Sequence, residues 1–108
     1  MLGLFAAISA AVAVAAGAFG AHGAAGQQEA EWLRTGGLYQ LIHAVGALAV
    51  MGVARGPAAM LLAGSILFAA TLYAMALGAP RWLGAVTPVG GALMIAGWLW
   101  AAWAMPRG

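Results

Sequence analysis

The amino-acid sequence predicts an all-α integral membrane protein, a four-transmembrane-helix antiparallel bundle that forms one domain over residues 1–108. Two observations predict this class. Hydrophobic residues make up 66% of the chain and charged residues only 6%, whereas a soluble domain carries roughly a quarter charged residues. The apolar residues also gather into four runs, each close to the ~20 residues that a helix needs to cross a bilayer.

The four apolar runs cover about residues 2–20, 38–54, 57–78 and 86–105, and none of them contains Asp, Glu, Lys or Arg. The first run has the small and apolar residues of a secretory signal peptide. It lacks the positively charged start that such a segment carries. We therefore expect the first run to be a retained transmembrane span.

Glycine and proline mark the breaks between the later runs. The tripeptide RGP at 55–57 is typical of a tight link, since Gly ends one helix and Pro suits the first turn of the next. It predicts that the second and third helices form an antiparallel hairpin. The stretch GAPRW at 78–82 ends the third helix, and Thr87 followed by proline predicts the N-cap of the fourth.

The first connector, residues 22–37, is long and polar. It contains both acidic residues of the chain, Glu29 and Glu31, together with an arginine. We predict a short interfacial helix over 27–35 that lies at the membrane surface with Trp32 as its anchor. A mobile polar loop is the alternative.

The arginines give only a small bias to the orientation in the membrane. Arg55 and Arg107 fall on the side of the Met1 amine, and Arg34 and Arg81 fall on the other. Arg55 sits in a very short link and Arg107 closely follows the last span, which are the places where positive charge counts most. We therefore expect both termini in the cytoplasm.

Small residues recur on one face of the first and fourth helices, at steps of three and four. In lipid, apolar side chains gain little by association, so helices are held by close backbone packing and a few hydrogen bonds. We therefore expect the small faces to lie inside the bundle and the bulky faces toward lipid. The glycines expected at helix-packing contacts are Gly17, Gly20, Gly64, Gly90 and Gly97.

Aromatic residues fall near the two expected membrane surfaces, which is the usual pattern of interfacial anchoring. The first group, on the side of the long connector, is Trp32, Tyr39, Tyr73 and Trp82. The second group, on the opposite side, is Trp98, Trp100 and Trp103.

The uncommon polar side chains gather in the half of the bilayer that we expect to be external. This polar cluster consists of His22, Tyr39, Gln40, His43, Thr71, Tyr73 and Thr87. A structural interpretation is an interhelical hydrogen-bond network that holds the connector onto the bundle. A functional interpretation is a pocket for a small polar molecule or a lipid head group, since ionisable groups at membrane depth are costly. A haem or metal site is a weak third interpretation, because two histidines stand without a carboxylate or thiol at ligand spacing.

Other chemistry lacks the residues it needs. The chain has no cysteine, which excludes disulfides and thiol catalysis, and it has no clustered basic patch for nucleic acid. It also has no GxSxG motif, no phosphate-binding loop and no intramembrane carboxylate. Small multidrug exporters depend on such a carboxylate in their first helix, so that mechanism is not expected. We predict a protein that is not an enzyme, with no cofactor and no metal.

Four strings of the sequence, in this order and spacing, resemble one family: GAFGAHG at 17–23, TGGLYQLIH at 35–43, TLYAMALG at 71–78 and VTPVGGALMIAGW at 86–98. The family is domain-of-unknown-function family 423, also called the UPF0382 family, with transmembrane protein 256-like relatives in eukaryotes. The resemblance covers nearly the whole chain and implies a small four-helix protein of the bacterial inner membrane without a known activity.

The resemblance also implies which residues recur in the family: His22, Tyr39, Gln40, His43, Tyr73, Thr87 and Pro88. Thr71 departs from it, since Ser is expected there in many relatives, but the hydroxyl is kept. These recurring residues overlap the polar cluster, but the overlap does not decide between a structural hydrogen-bond network and a binding site.

The leading functional hypothesis is a non-enzymatic membrane protein that acts through contacts with membrane lipids, with another membrane protein or with a second copy of itself. The alternative is a small-solute or lipid-handling transporter, which would need an oligomer or a gap between helices because a single glycine-packed bundle has little interior space.

Overall fold

The computed structural model describes residues 1–106 and consists of four long α-helices and one short 3₁₀ helix. Their bounds are Leu2–His22 (α1), Gln27–Val50 (α2), Arg55–Ala76 (α3), Arg81–Ala85 (the 3₁₀ helix) and Thr87–Ala104 (α4). The all-helical expectation is confirmed. Arg107, which enters the orientation argument, lies outside the described residues.

Three helical segments of the described chain are long and apolar enough to cross a membrane: Leu2–His22, Arg55–Ala76 and Arg81–Ala104, the last joining the 3₁₀ helix to α4. The helix α2 does not meet this criterion, although its 24 residues make it the longest helix. Its first third carries Glu29, Glu31 and Arg34, and these side chains lower its hydropathy.

The prediction of a separate interfacial helix over 27–35 is wrong. These residues form the first turns of α2, which continues without a break from Gln27 to Val50. Leu33 and Gly36 are already buried in this part of the helix. The connector therefore shrinks to residues 23–26, because helical hydrogen bonds are made within the backbone and do not stop where the side chains become polar.

The breaks later in the chain also differ in detail from the expected ones. The tripeptide at 55–57 forms the first turn of α3, with Pro57 in a turn whose backbone N–H groups need no helical partner, and the turn before it is residues 51–54. Gly78 follows α3 with φ +105°. Its N–H binds the carbonyl of Met75, and the N–H of Ala79 binds the carbonyl of Ala74, which is a Schellman C-cap.

The helices pack in chain order. The helix α2 lies between α1 and α3, and α3 lies between α2 and α4, while α1 touches α3 only lightly. Within residues 1–106, α1 and α4 make no extensive contact. The bundle is therefore open on the side where a closed four-helix bundle would join its first helix to its last.

Backbone contact between glycines joins α3 to α4. A Cβ atom added at Gly90 would lie 2.6 Å from the Phe68 nitrogen and 2.7 Å from the Gly64 carbonyl oxygen, and one at Gly64 would lie 3.0 Å from the Gly90 oxygen. A Cβ atom added at Gly97 would lie 2.9 Å from the Leu61 side chain. The buried residues of α4 are the small face that the sequence predicts: Thr87, Gly90, Met94, Gly97 and Ala101.

The contact between α1 and α2 includes the expected Gly17 and Gly20 and adds Gly37, which was not among the glycines expected from the sequence. A Cβ atom at Gly17 would meet nothing within 4 Å, whereas one at Gly37 would lie 3.0 Å from the Ala13 oxygen and 3.4 Å from the Gly17 nitrogen. Gly17 therefore contributes its backbone surface, and the position that excludes a side chain is Gly37. Gly20 does lie against α2, with Leu33 3.1 Å from an added Cβ.

Two contacts of Arg81 join the helices at the end of the bundle that contains the connector at 23–26, hereafter the connector end. Arg81 in the 3₁₀ helix donates a hydrogen bond of 3.4 Å to the Gln28 side chain. Its guanidinium also lies 5.6 Å from the ring centroid of Trp32. The connection between α3 and α4 is thus joined to the first turns of α2 by a cation–π contact and a long polar contact.

We expect Gly90→Ala to lower the free energy of unfolding by about 1–3 kcal/mol, because the added methyl group would overlap the backbone of α3. Reversible denaturant titration in mild detergent, followed by circular dichroism, measures this change. The adjacent Gly91→Ala is the control, since its Cβ would meet nothing within 4 Å, and helix propensity favours it by up to about 1 kcal/mol. Equal losses for the two variants would contradict the contact.

Candidate functional site

The structure divides the seven residues of the predicted polar cluster into three hydrogen-bonded groups and one residue outside them. Gln40 and Tyr73 form one group, His43 and the backbone of Tyr39 a second, and Thr71 and Thr87 a third. His22 belongs to none. Within residues 1–106, no buried side-chain nitrogen or oxygen lacks a hydrogen-bond partner.

The first group connects three helices. The Tyr73 hydroxyl donates to Gln40 Oε1 at 2.5 Å, and Gln40 Nε2 donates to the Ser9 hydroxyl at 2.9 Å. Ser9 and Gln40 are 4% and 5% exposed. Tyr73 reaches this depth because side chains on a helix lean toward its N-terminus, and its ring passes over Gly36, where a Cβ would lie 2.7 Å from the ring.

In the second group, both ring nitrogens of His43 take part in hydrogen bonds. Nδ1 lies 2.7 Å from the Tyr39 carbonyl oxygen, and Nε2 lies 3.0 Å from the indole nitrogen of Trp98. A carbonyl oxygen only accepts and an indole N–H only donates. His43 is therefore neutral, with its proton on Nδ1 and with Nε2 as the acceptor. Neither nitrogen is left for a metal ion or a haem iron.

Aromatic rings surround His43 and fill the space between α2 and α4. The Tyr39 ring stacks on the imidazole with centroids 6.2 Å apart and lies 5.0 Å from Phe68. The Trp98 ring lies 5.8 Å from the imidazole and lies against Gly46, where a Cβ would be 2.9 Å from it. Trp98 thus belongs to the interior contacts of α4 as well as to its membrane-facing surface.

The third group joins the connector ends of α3 and α4. The Thr71 and Thr87 hydroxyl oxygens are 2.6 Å apart. Each hydroxyl also lies within hydrogen-bond distance of a backbone carbonyl, Thr71 at Phe68 and Thr87 at Leu83. Thr87 does not cap α4 as the sequence suggested, because Val86 precedes the helix and no side chain caps it.

His22 lies apart from the other polar residues. It ends α1 and is exposed. Thirteen residues separate it from Ser9 on the same helix, which is roughly 20 Å at 1.5 Å per residue. His43 lies one turn beyond the Gln40 that Ser9 contacts. The two histidines therefore do not form a joint site, and the interpretation that needs both of them loses its geometric basis.

An open groove of about 490 Å³ lies between α1 and α3, beside α2. Measured along the helices, from residues 2 to 12 of α1 and 59 to 73 of α3, it is roughly 15–20 Å long. Its walls are apolar, and its polar floor is Ser9 and Gln40. The wall residues are Leu2, Phe5, Ile8, Val12, Ala59, Leu62, Ala63, Ile66, Ala70 and Tyr73.

The spaces on the two sides of the bundle are filled differently. Between α2 and α4, Phe68 and Trp98 occupy the gap around His43. Between α1 and α3, three of the six residues that α3 contributes to the wall are alanines, and the volume stays open. A second hollow of about 340 Å³ lies at the connector end, beside Phe19, Glu29 and Met75.

Sequence reasoning missed two residues of these networks, Ser9 and Trp98. Ser9 lies nearer to the Met1 end of the first span, away from the half of the bilayer in which the polar cluster is expected, and Trp98 was interpreted as an interfacial anchor. The available signal for Ser9 was its position on the small face of α1, among alanines and glycines. The signal for Trp98 was weaker, since it stands one residue from Gly97 on the small face of α4.

Comparisons with known proteins support the resemblance noted in the sequence. A family model described as "Protein of unknown function (DUF423)" matches residues 16–91. The UPF0382 membrane protein SSP2132 of Staphylococcus saprophyticus is 38% identical over 104 residues, which cover 86% of each chain. The UPF0382 inner membrane protein YgdD of Escherichia coli is 39% identical over 109 residues, which cover 88% of this chain and 81% of that protein.

A third relative, the UPF0382 membrane protein SH2409 of Staphylococcus haemolyticus, is 38% identical over 99 residues, with 82% of this chain and 80% of the relative covered. No solved structure matches the chain. The family model includes all seven residues of the predicted polar cluster, whereas Ser9 and Trp98 lie outside the matched range.

We expect the ring of His43 to carry its proton on Nδ1 throughout the folded population. Nitrogen-15 NMR of ring-labelled histidine in detergent micelles distinguishes this tautomer from the Nε2–H form. Exposed His22 serves as the internal reference, since no described contact selects one of its tautomers. A predominantly Nε2–H ring at His43 would contradict the hydrogen bond to the Tyr39 carbonyl.

Trp98→Phe should lower the free energy of unfolding by about 1 kcal/mol, because it leaves the Nε2 acceptor of His43 without its donor in a medium that offers no other. Denaturant titration in detergent measures the loss. Trp82→Phe makes the same chemical change at an exposed ring and should cost little. Matching losses in the two variants would show that the indole N–H of Trp98 contributes nothing.

Proposed function

This chain belongs to the DUF423 family, and we propose that it is a multi-pass protein of the bacterial inner membrane that holds a lipid molecule in the groove between α1 and α3. The printed names of its relatives describe membrane proteins, in YgdD an inner membrane protein, and none names an enzymatic activity. Binding rather than catalysis is therefore the proposed mode of action.

The observation that carries the proposal is the open volume between α1 and α3. A groove of about 490 Å³ falls within the range of roughly 300–1,000 Å³ that small-molecule sites occupy. It faces outward between two helices that are apolar enough to span a membrane. The molecules that reach such a groove from the hydrocarbon phase are lipids.

The proposal includes α2 as the fourth span. The 24 residues of α2 extend about 36 Å, longer than the roughly 30 Å of a hydrocarbon core, so its polar first turns would project into the head-group region. There Trp32 and Arg81 would lie at the interface. The proposal keeps cytoplasmic termini on the small bias noted in the sequence, in which Arg55 occupies a very short link on the side of the Met1 amine while Arg34 and Arg81 lie on the other side.

The groove does not favour the alternative of a small-solute transporter. Its walls are apolar, whereas an aqueous path needs polar groups along its length to replace the hydration of the solute. The buried polar side chains instead bind one another across helices. A lipid-handling role is compatible with a groove open to the bilayer.

Native mass spectrometry of the full chain, released from nanodiscs of dioleoylphosphatidylcholine, tests the proposal. We expect one retained lipid per protein. Ala63→Leu should lower the lipid-bound fraction about tenfold, equivalent to about 1.4 kcal/mol, because the larger side chain enters the groove from the α3 wall. Ala96→Leu is the matched control on α4, since Ala96 is exposed and lies outside the groove.

Three outcomes would contradict lipid binding in the groove. The first is a bare protein mass under conditions that keep the fold. The second is equal lipid retention by the two leucine variants. The third is a dimer that Ala63→Leu dissociates, which would assign the groove to a second copy of the chain.

A further inference from the structure

We propose that the floor of the groove binds the carbonyl oxygen of a lipid-soluble quinone. This inference rests on the proposed function and names the class of molecule that occupies the groove. It is carried by three features of the structure: uncommitted hydrogen-bond donors in the floor, the depth at which they lie, and the apolar walls on either side.

The two floor residues and the adjoining Tyr73 hydroxyl carry more polar protons than the hydrogen bonds between them use. Ser9 and Tyr73 each carry one hydroxyl proton, and the Gln40 amide carries two N–H protons. Only two hydrogen bonds join these groups, and in residues 1–106 they make no others to side chains or backbone. Two polar protons are therefore left over, and this holds whichever way the amide of Gln40 is turned.

Ser9 differs in this respect from the other buried hydroxyl residues. Ser65 donates to the Leu62 carbonyl and Thr71 to the Phe68 carbonyl, each within its own helix. Ser9 makes no such bond among the described residues, although it is only 4% exposed. A hydroxyl that lines a groove and does not satisfy itself on its own helix is available to a ligand.

Hydrocarbon offers no acceptor for these protons, and each unmet polar group costs free energy in that medium. A carbonyl oxygen has two lone pairs and no proton of its own. One such oxygen can therefore accept from both of the remaining donors without adding a further donor to the site. A hydroxyl group would bring another proton that needs an acceptor.

The depth of the floor identifies the kind of carbonyl. Ser9 lies seven residues into α1, about 10 Å from one end of the helix and about 20 Å from the other. The ester carbonyls of a phospholipid belong to the interfacial region outside the hydrocarbon core. A quinone dissolves within the core, so its ring oxygens can reach this level.

The walls fit an apolar molecule with a flat ring. Phe5 and Tyr73 are the aromatic residues that line the groove, and the remaining wall residues are aliphatic. Aromatic rings favour stacked or tilted contacts with another π-system. The alanines of α3, such as Ala59 and Ala63, leave room for the hydrocarbon tail along the rest of the length.

Infrared spectroscopy of carbonyl-labelled decylubiquinone tests the inference, with the full chain in nanodiscs of dioleoylphosphatidylcholine. We expect a carbonyl band shifted to lower frequency by hydrogen bonding, which saturates at one quinone per protein. Ser9→Ala should reduce the shift, and Ala63→Leu should lower the occupied fraction about tenfold while Ala96→Leu leaves it unchanged. Far-ultraviolet circular dichroism checks that each variant is folded.

Two competitor molecules distinguish binding through the quinone carbonyl from binding through the hydrocarbon tail and from binding of ester lipids. Decylbenzene has the same chain and a ring without oxygen, so at least a tenfold excess should be needed for half displacement. Dioleoylglycerol supplies ester carbonyls and should also compete poorly. Equal competition by either molecule, or a carbonyl band without a shift, would overturn the quinone assignment.

The same experiment distinguishes this inference from the proposed function beneath it. If decylbenzene and decylubiquinone occupy the groove equally and Ala63→Leu excludes both, the groove binds lipid-phase molecules without regard to the carbonyl, and only the quinone assignment fails. If Ala63→Leu changes the occupancy of none of the molecules, the groove is not a binding site and both proposals fail.

Discussion

Every helix pair in this protein has to be held together without the help that water gives to a soluble core. Between two apolar surfaces in lipid, association depends on how closely the backbones approach and on hydrogen bonds that hydrocarbon cannot replace. Both devices are present. Gly64 and Gly90 bring α3 and α4 into backbone contact, and Ser9, Gln40 and Tyr73 join α1, α2 and α3 through side chains.

The two devices suit different distances between helices, and the α1 and α2 pair uses both, with Gly37 in backbone contact and Gln40 bonded to Ser9. Backbone contact through glycines requires neighbouring helices at close range, as in the α3 and α4 pair. Long polar side chains reach across a wider gap. Trp98 on α4 can therefore donate to His43 on α2, although α3 separates these two helices over much of their length. The central position of α2 follows, since it supplies both Gln40 and His43.

Periodicity predicts which face of a helix is buried but not which residue of the next helix meets it. On α4 the steps from Gly90 to Gly97 were enough to identify the small face. The partners of Gln40 and His43 depend on the vertical register between packed helices, which local sequence does not determine. Ser9 and Trp98 were missed for that reason. The start of α2 was misplaced because polarity indicates where a helix meets water, while its hydrogen bonding can continue beyond that point.

The open groove between α1 and α3 contrasts with the filled space between α2 and α4. Around His43, large rings close the gap and every ring nitrogen has a partner. Around Gln40, three of the six groove-lining residues of α3 are alanines, and the polar groups keep two protons that their own hydrogen bonds do not use. Larger side chains in place of Ala59, Ala63 and Ala70 would fill that volume within the same helix geometry. Under the proposed function a molecule from the bilayer fills this groove, and its contacts with both walls add to the few direct contacts between α1 and α3.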